Sequence, residues 1–258
     1  MSAPVQSSPK ADPEEDPAGA GKVRTASALD EIGLLPRETL GDRVTTELRA
    51  RLVAGQLAPG DKLSLRRVAQ ALGVSMMPVR EAVSRLAADR ALEVLPGRAV
   101  RVPVLTLEQF RELTRLRLVV EGFAAEEAAR VASPEQIEAI AAHEARFRGA
   151  ADAEPPRAAD SVAANRDLHF ALYEATNMPA LVEMIERLWL KAGPVLNLDM
   201  RHEPLRLKGG SAVQAHASLV AALRARDGQA AREALERDIS FAAAHVESTG
   251  RLAERAEI

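Results

Sequence analysis

The chain has 258 residues and no cysteine, which excludes disulfide bonds and thiolate metal sites. Hydrophobic residues make up 47% of it, enough to build two globular domains. No apolar run approaches the roughly 18 residues that a membrane span needs, and the N-terminus is acidic and proline-rich where a signal peptide would be apolar. We therefore expect a cytoplasmic protein without a membrane partner.

The charges separate into two regions of opposite sign. Residues 37–104 hold 12 Lys and Arg against 7 Asp and Glu, whereas the rest of the chain holds 22 basic and 30 acidic residues. A basic module joined to an acidic one is typical of a DNA-binding domain that carries a second domain. Residues 1–36 and 249–258 lack a pattern that would build a core, and we predict that both are flexible tails.

Two short helices joined by a glycine are predicted between Ser64 and Leu86. Apolar residues recur at helical spacing in both segments, and Gly73 lies at the corner, where a positive φ is needed. This pattern predicts a helix-turn-helix whose second helix enters a major groove. The side chains left to point outward are Arg66, Arg67, Met76, Met77, Arg80 and Arg85.

The flanking segments complete a winged helix. Upstream, apolar residues from Leu40 to Leu52 predict a helix that stops at Gly55. Downstream, alternating apolar residues surround Pro96-Gly97-Arg98 and predict two strands with a wing between them. The sequence therefore predicts a winged helix-turn-helix over residues 37–104.

This region resembles the GntR family of bacterial transcription regulators. The resemblance is carried by Ala54–Leu63, Leu72–Ser75, Pro78–Ala82 and the wing Pro96–Arg98. By motif position it implies contacts with double-stranded operator DNA from Arg66, Ser75, Met77, Arg80, Gly97 and Arg98.

Two positions depart from the family pattern. Met76 stands where the family usually has arginine, and Arg90 stands where it usually has glycine. We expect the fold to be kept and the operator sequence to differ from the usual one.

The second half of the chain is predicted to be an antiparallel all-α helical bundle over residues 105–248. Six helical patterns carry this prediction: 107–131, 134–147, 158–176, 179–196, 211–226 and 228–247. Thr106 and Ser133 are expected N-caps, and Asp227-Gly228 is expected to form the tight break between the last two helices. The fold class is mainly α.

Four polar residues in this bundle form a candidate metal site. Asn165 and His169 are four residues apart on one helix face, while His216 and Asp238 belong to two later helices. Imidazole and carboxylate groups on facing helices are suitable ligands for zinc, nickel or manganese. Spacing alone also permits ordinary surface or hydrogen-bonded histidines.

Residues 105–245 resemble the FCD ligand-binding domain found in a subgroup of GntR regulators. The family's aspartate corresponds to Asn165, its first two histidines to His169 and His216, and its third histidine to Asp238. The resemblance implies a divalent metal cofactor, held here by an altered ligand set that lowers the affinity for zinc and makes manganese or another hard cation more competitive.

Arg117 and Glu121 match an Arg and a Glu that recur in the FCD pattern. Arg117 is expected either to bind a small carboxylate effector or to form an i,i+4 ion pair on the helix surface. We expect Tyr173 and Trp189 to be core residues or a pocket wall.

These features predict a ligand-responsive transcription regulator, a repressor and not an enzyme, that binds its operator as a homodimer. A metal-dependent hydrolase is the first alternative, although no general base or nucleophile accompanies the ligands. An architectural DNA-binding protein without an effector is the second, and it leaves the acidic domain without a purpose.

Overall fold

The computed structural model describes residues 39–202, 210–250 and 252–253, and gives the backbone alone for Arg98 and residues 198–202. The predicted tail at residues 1–36 therefore lies outside the described residues. In the described part of the chain, no helix is both long and apolar enough to cross a membrane.

The first half of the described chain is a winged helix-turn-helix. Its helices are α1 (Leu40–Val53), α2 (Leu65–Leu72) and α3 (Met76–Ala88). Its antiparallel strands are β1 (Lys62–Leu63), β2 (Glu93–Val94) and β3 (Val100–Arg101), in the order β1-β3-β2. A single 3₁₀ turn, Pro96–Arg98, connects β2 to β3 and forms the predicted wing. Strand β1, which pairs with β3, was not predicted, because two residues are too few to show the alternation of apolar and polar side chains that marks a strand.

Local signals explain where these helices begin and end. Thr39 and Asp42 form a reciprocal capping box at the start of α1. Gly73 ends α2 with a φ of 64°, the left-handed conformation that the corner requires. Leu52, Val79 and Leu86 are fully buried where α1 and α3 pack together. The helix-turn-helix prediction is confirmed.

Arg90, at a position where the family usually has glycine, adopts a backbone conformation that favours glycine. Its φ is 56°, in the left-handed region that side chains with a Cβ rarely occupy. The turn between α3 and β2 therefore carries strain of about 1 kcal/mol.

The second half is a bundle of helices joined by short connections. Their bounds are α4 (Leu107–Val131), α5 (Pro134–Ala151), α6 (Ala158–Glu174), α7 (Pro179–His202), α8 (Ser211–Ala225) and α9 (Gly228–Ser248). Thr106 and Ser133 form capping boxes with Gln109 and Gln136, as their sequence positions predicted. Two bounds differ clearly from the predicted ones: α5 continues from Phe147 to Ala151, and α7 continues from Leu196 to His202.

The core of the bundle depends on small residues. Ala124, Ala125 and Ala128 on α4 are fully buried, and α4 packs along α9. Side chains this short let two helix backbones approach closely. The larger side chains fill the centre, where Leu168, Leu172 and other apolar residues are excluded from solvent.

The link between the two halves is held by the end of the chain. Ala253 forms a parallel bridge with Thr106, in which its amide donates to Leu105 (3.0 Å) and its carbonyl accepts from Leu107 (3.3 Å). Leu252 packs against the neighbouring apolar cluster. Both residues lie within the segment that was predicted to be a flexible tail.

Helix α7 also packs directly against the winged helix. A Cβ atom at Gly193 would lie only 2.9 Å from the Cα atom of Val53, so glycine is what permits this approach. One turn later, the side-chain amide of Asn197 donates a hydrogen bond to the carbonyl of Val53 at the end of α1. These contacts join the bundle to the DNA-binding half.

Candidate ligand site and nucleic-acid interface

Three of the four predicted metal ligands meet between α6, α8 and α9. The Nε2 atom of His169 lies 3.2 Å from Oδ2 of Asp238, and the Nε2 atom of His216 lies 3.4 Å from Oδ1 of the same carboxylate. One ligand atom from each residue lies within 4.8 Å of the other two. The cluster is thus compact enough for a single cation.

A buried tyrosine orients His169. The Tyr173 hydroxyl donates to Oε2 of Glu121 (2.5 Å) and lies 2.9 Å from Nδ1 of His169. Because the hydroxyl has one proton and gives it to Glu121, it must accept the Nδ1 proton of His169. The neutral imidazole then presents its Nε2 lone pair toward Asp238, as a metal ligand should.

Glu121 is the centre of this buried network. It is fully buried. Its carboxylate accepts hydrogen bonds from Nε (2.6 Å) and Nη2 (3.1 Å) of Arg117. Its Oε2 atom also accepts a hydrogen bond from Nε1 of Trp189 (3.2 Å). The expected Arg117 ion pair therefore exists in the interior, where the loss of one partner costs about 3 to 5 kcal/mol. On a helix surface the same ion pair would stabilise the helix by only about 0.2 to 0.5 kcal/mol.

The protonation states agree with cation binding. Burial lowers the pKa of the His169 imidazole below its ordinary value of 6.5, which favours the neutral form. Burial alone would raise the pKa of Asp238, but the imidazoles of His216 and His169, in their protonated forms, outweigh it and hold that pKa well below 3.8. Burial and the charge of Glu121 raise the pKa of Tyr173, so it stays a proton donor.

His216 supplies the strongest indication that the cluster needs a further partner. The residue is 1% exposed, and within the described chain neither ring nitrogen has a hydrogen-bond partner. The 3.4 Å separation from Asp238 is an ion-pair distance without hydrogen-bond geometry. Buried polar atoms are rarely left without a partner, and a cation bound in the cluster would satisfy Nε2 of His216. The donor set of two imidazoles and one carboxylate fits a divalent metal.

A cavity of about 50 Å³ adjoins the cluster. Its lining includes His169 and Asp238, the half-buried Asn165, the buried Arg117 and the interdomain residue Asn197. This volume accommodates an ion with a water molecule, whereas metabolite sites usually measure several hundred Å³. An organic effector would have to be very small or would have to widen the cavity.

A larger cleft of about 640 Å³ lies between the wing and helices α4 and α7. Its polar lining consists mainly of Arg90, Glu93, Arg101, Glu112 and Lys191, of which Glu93 and Arg101 already form an ion pair. The cleft is open and holds none of the histidine cluster. We therefore place the candidate ligand site at the smaller cavity.

The predicted DNA-contacting residues lie on an exposed face of the winged helix. Arg66, Ser75, Met77, Arg80 and Gly97 are all exposed, and Gly97 has the φ of 77° that the wing turn requires. Ser75 caps α3 without a side-chain hydrogen bond, because the third helical residue, Pro78, has no amide proton to give. The side chain of Arg98 lies outside the described residues.

Two residues expected to point outward are engaged elsewhere. Met76 is half-buried and packs against the core. Arg85 forms ion pairs with Asp42 and with Glu81, the latter at 2.6 Å. Neither is therefore as free to contact DNA as the pattern of the sequence suggested.

Family models match both halves of the chain. The model described as bacterial regulatory proteins, gntR family, matches residues 40–102, and the FCD domain matches residues 112–241. The chain belongs to the GntR family, in the subgroup with an FCD domain.

One relative and two solved structures match the chain over most of their length. The transcriptional regulator McbR of Escherichia coli K12 is 32% identical over 204 residues, which cover 79% of this chain and 90% of McbR. The solved structure of E. coli McbR/YncC has a TM-score of 0.75 at 29% identity, covering 83% of this chain and 99% of that one. A GntR regulator structure from Rhodococcus sp. RHA1 has a TM-score of 0.66 at 26% identity, covering 81% and 97%.

One more relative matches about a third of the chain. The gluconate operon transcriptional repressor of Bacillus licheniformis is 36% identical over 89 residues, which cover 34% of this chain and 36% of the repressor. The matched domains and these relatives are transcription regulators and not enzymes. The chain is accordingly a DNA-binding transcription regulator, and the hydrolase interpretation is set aside.

Sequence reasoning missed the residues that support the site. Glu121 was considered only as the partner of Arg117, and Tyr173 only as a core or wall residue. Asn197 was not singled out at all. A polar residue between Leu196 and Leu198 was the available signal for Asn197.

Proposed function

We propose that this GntR-family protein is a repressor whose operator affinity is set by a ligand at the His169, His216 and Asp238 cluster. The ligand consists of a divalent cation, such as zinc, nickel or manganese, and a small carboxylate that completes its coordination. Asn165 is the proposed fourth protein ligand. The repressor assignment is supported by the gluconate operon repressor among the relatives.

The observation that carries this proposal is the position of Asn197. Its side chain lines the cavity beside the cluster and also bonds to the carbonyl of Val53 in the winged helix. A ligand that displaces Asn197 would therefore act directly on the end of α1. Differential contacts of this kind are what a ligand needs in order to shift a conformational equilibrium.

Arg117 gives the site its preference for a carboxylate. The guanidinium borders the cavity, is held from one side by Glu121 and lies 5.2 Å from the centre of the Trp189 ring. A preorganised, always charged group favours an anion beside the bound cation. When bound, the metal would supply Lewis acidity for holding that anion.

Operator binding requires two copies of the chain. One winged helix offers a single reading helix, and a two-fold symmetric dimer doubles its contacts on a palindromic site. We propose a homodimer that is held together mainly by the helical domain. A monomer in light scattering, both free and on operator DNA, would contradict this part of the proposal.

The function is tested by metal analysis of the wild type, His169→Ala and His216→Ala. Each protein is stripped with a chelator, offered zinc, nickel and manganese, and analysed for retained metal. We expect one equivalent per chain in the wild type and less than a tenth of that in either variant. Retention of less than one equivalent of every metal by the wild type would contradict the metal site.

A further inference from the structure

The reading helix α3 presents an unusual side chain to the solvent. Met77 is 71% exposed, the highest exposure among the large apolar side chains of the described residues. Its neighbour Met76 is half-buried against the core, and Pro78 and Val79 are buried. The structure thus separates the two methionines into one that packs and one that projects, a distinction that the sequence could not make.

Few other side chains on this face are available for reading bases. Met77, Arg80 and Ser84 are exposed and lie at positions i, i+3 and i+7, so they share one face of the helix. Glu81 and Arg85 are also exposed, but they form an ion pair with each other, and Arg85 additionally bonds to Asp42. Met77 is therefore a large part of the free surface that α3 can offer to a groove.

The chemistry of methionine restricts what it can recognise. A thioether cannot donate a hydrogen bond and accepts one only weakly. In the major groove every base edge presents hydrogen-bond donors or acceptors, and thymine carries the apolar 5-methyl group beside its O4 acceptor. Contact with any other base edge would bury a polar atom against Met77 without a partner, which is unfavourable.

We propose that Met77 reads the 5-methyl group of a thymine in each half of the operator. Arg80, one turn along the same face, supplies the polar contact to a neighbouring base or phosphate. This assignment makes Met77 a specificity-determining residue that replaces hydrogen-bonded recognition by apolar contact at its position.

The experiment begins with the full chain and random-sequence DNA. The wild type selects its preferred site, and each thymine of that site is then replaced by deoxyuridine, which removes only the 5-methyl group. Burial of one methyl group predicts that such a replacement in one half-site weakens wild-type binding about fourfold, and that replacement in both half-sites weakens it about 16-fold. The variants Met77→Ala and Met77→Leu are measured on the same DNA, and their thermal melts verify that they are folded.

The proposal predicts that Met77→Ala binds the thymine and deoxyuridine sites equally, whereas Met77→Leu keeps part of the preference. Equal deoxyuridine effects in the wild type and Met77→Ala would overturn it, as would a wild type that is indifferent to deoxyuridine at every position. If the wild type enriches no sequence, both this proposal and the operator binding on which it rests are contradicted.

Discussion

The side-chain amide of Asn197 donates a hydrogen bond to the backbone carbonyl of Val53, and the same side chain lines the cavity next to the histidine cluster. Asn197 is only 2% exposed, so no solvent competes for this bond. It is the most direct connection between the candidate ligand site and the DNA-binding half in the described residues.

Asn197→Ala should uncouple the two halves without emptying the ligand site. We expect its metal affinity to stay within about threefold of the wild type, while the change of operator affinity on metal loading falls by about 1 to 3 kcal/mol. Fluorescence anisotropy of a labelled operator, with zinc or with chelator, measures the second quantity. Ser211→Ala is the control, because Ser211 lines the same cavity from α8. Equal responses in the two variants would refute the coupling.

Tyr173→Phe should weaken metal binding through His169. The substitution removes the oxygen that accepts the Nδ1 proton, and loss of such an outer partner typically lowers metal affinity about 10- to 100-fold. Competition with a chelating dye gives the affinity. Trp189→Phe removes a different donor to Glu121 and leaves the His169 hydrogen bond in place. It should therefore have the smaller effect, and an equal loss in both variants would count against the tautomer argument.

Arg80→Ala should weaken operator binding by about 1 to 3 kcal/mol while the fold is kept. The matched control is Arg85→Ala on the same helix, because Arg85 is exposed but already paired with Asp42 and Glu81. Gel-shift titrations at two salt concentrations measure both variants. If Arg85→Ala costs as much affinity as Arg80→Ala, the assigned reading face is wrong.

Arg90→Gly should stabilise the protein by about 0.5 to 1 kcal/mol. Glycine adopts a positive φ without strain, and this gain exceeds the loss from the greater conformational entropy that glycine gives the unfolded chain. Arg226 has nearly the same φ of 57°, but its guanidinium donates to the carbonyls of Ala132 and Ala129. Arg226→Gly should instead lower the free energy of unfolding by about 1 kcal/mol. Urea denaturation gives the free energy of unfolding of both variants. Changes of opposite sign would distinguish the relief of backbone strain at Arg90 from the loss of hydrogen bonds at Arg226.

The helices could be predicted from the sequence because their signals are local. Caps such as Thr106 and Ser133, and the glycine at position 73, act within a few residues and mark element ends wherever the helix packs. The end of α7 was missed because its apolar pattern stops at Leu196 although the helix continues. The β1 strand was missed because its two residues are defined by pairing with β3, which depends on distant contacts.

The ligand cluster was predictable in part for a similar reason. Asn165 and His169 share a helix by spacing, His216 and Asp238 were candidates on later helices, and the family resemblance matched all four to ligand positions. The supporting network could not be predicted, because the approach of Tyr173 to Glu121 requires α6 and α4 to be packed side by side. The same holds for the contact between Asn197 and Val53, which are 144 residues apart.

We propose that occupancy of the histidine cluster controls DNA binding. It is tested most directly by the affinity of the wild type and His216→Ala for a selected operator, each protein stripped, metal-loaded, or metal-loaded with acetate or lactate. We predict that the wild type changes its affinity at least tenfold among these states, an effect of about 1.4 kcal/mol, and that His216→Ala does not respond. A wild type with the same operator affinity in every state would contradict the account.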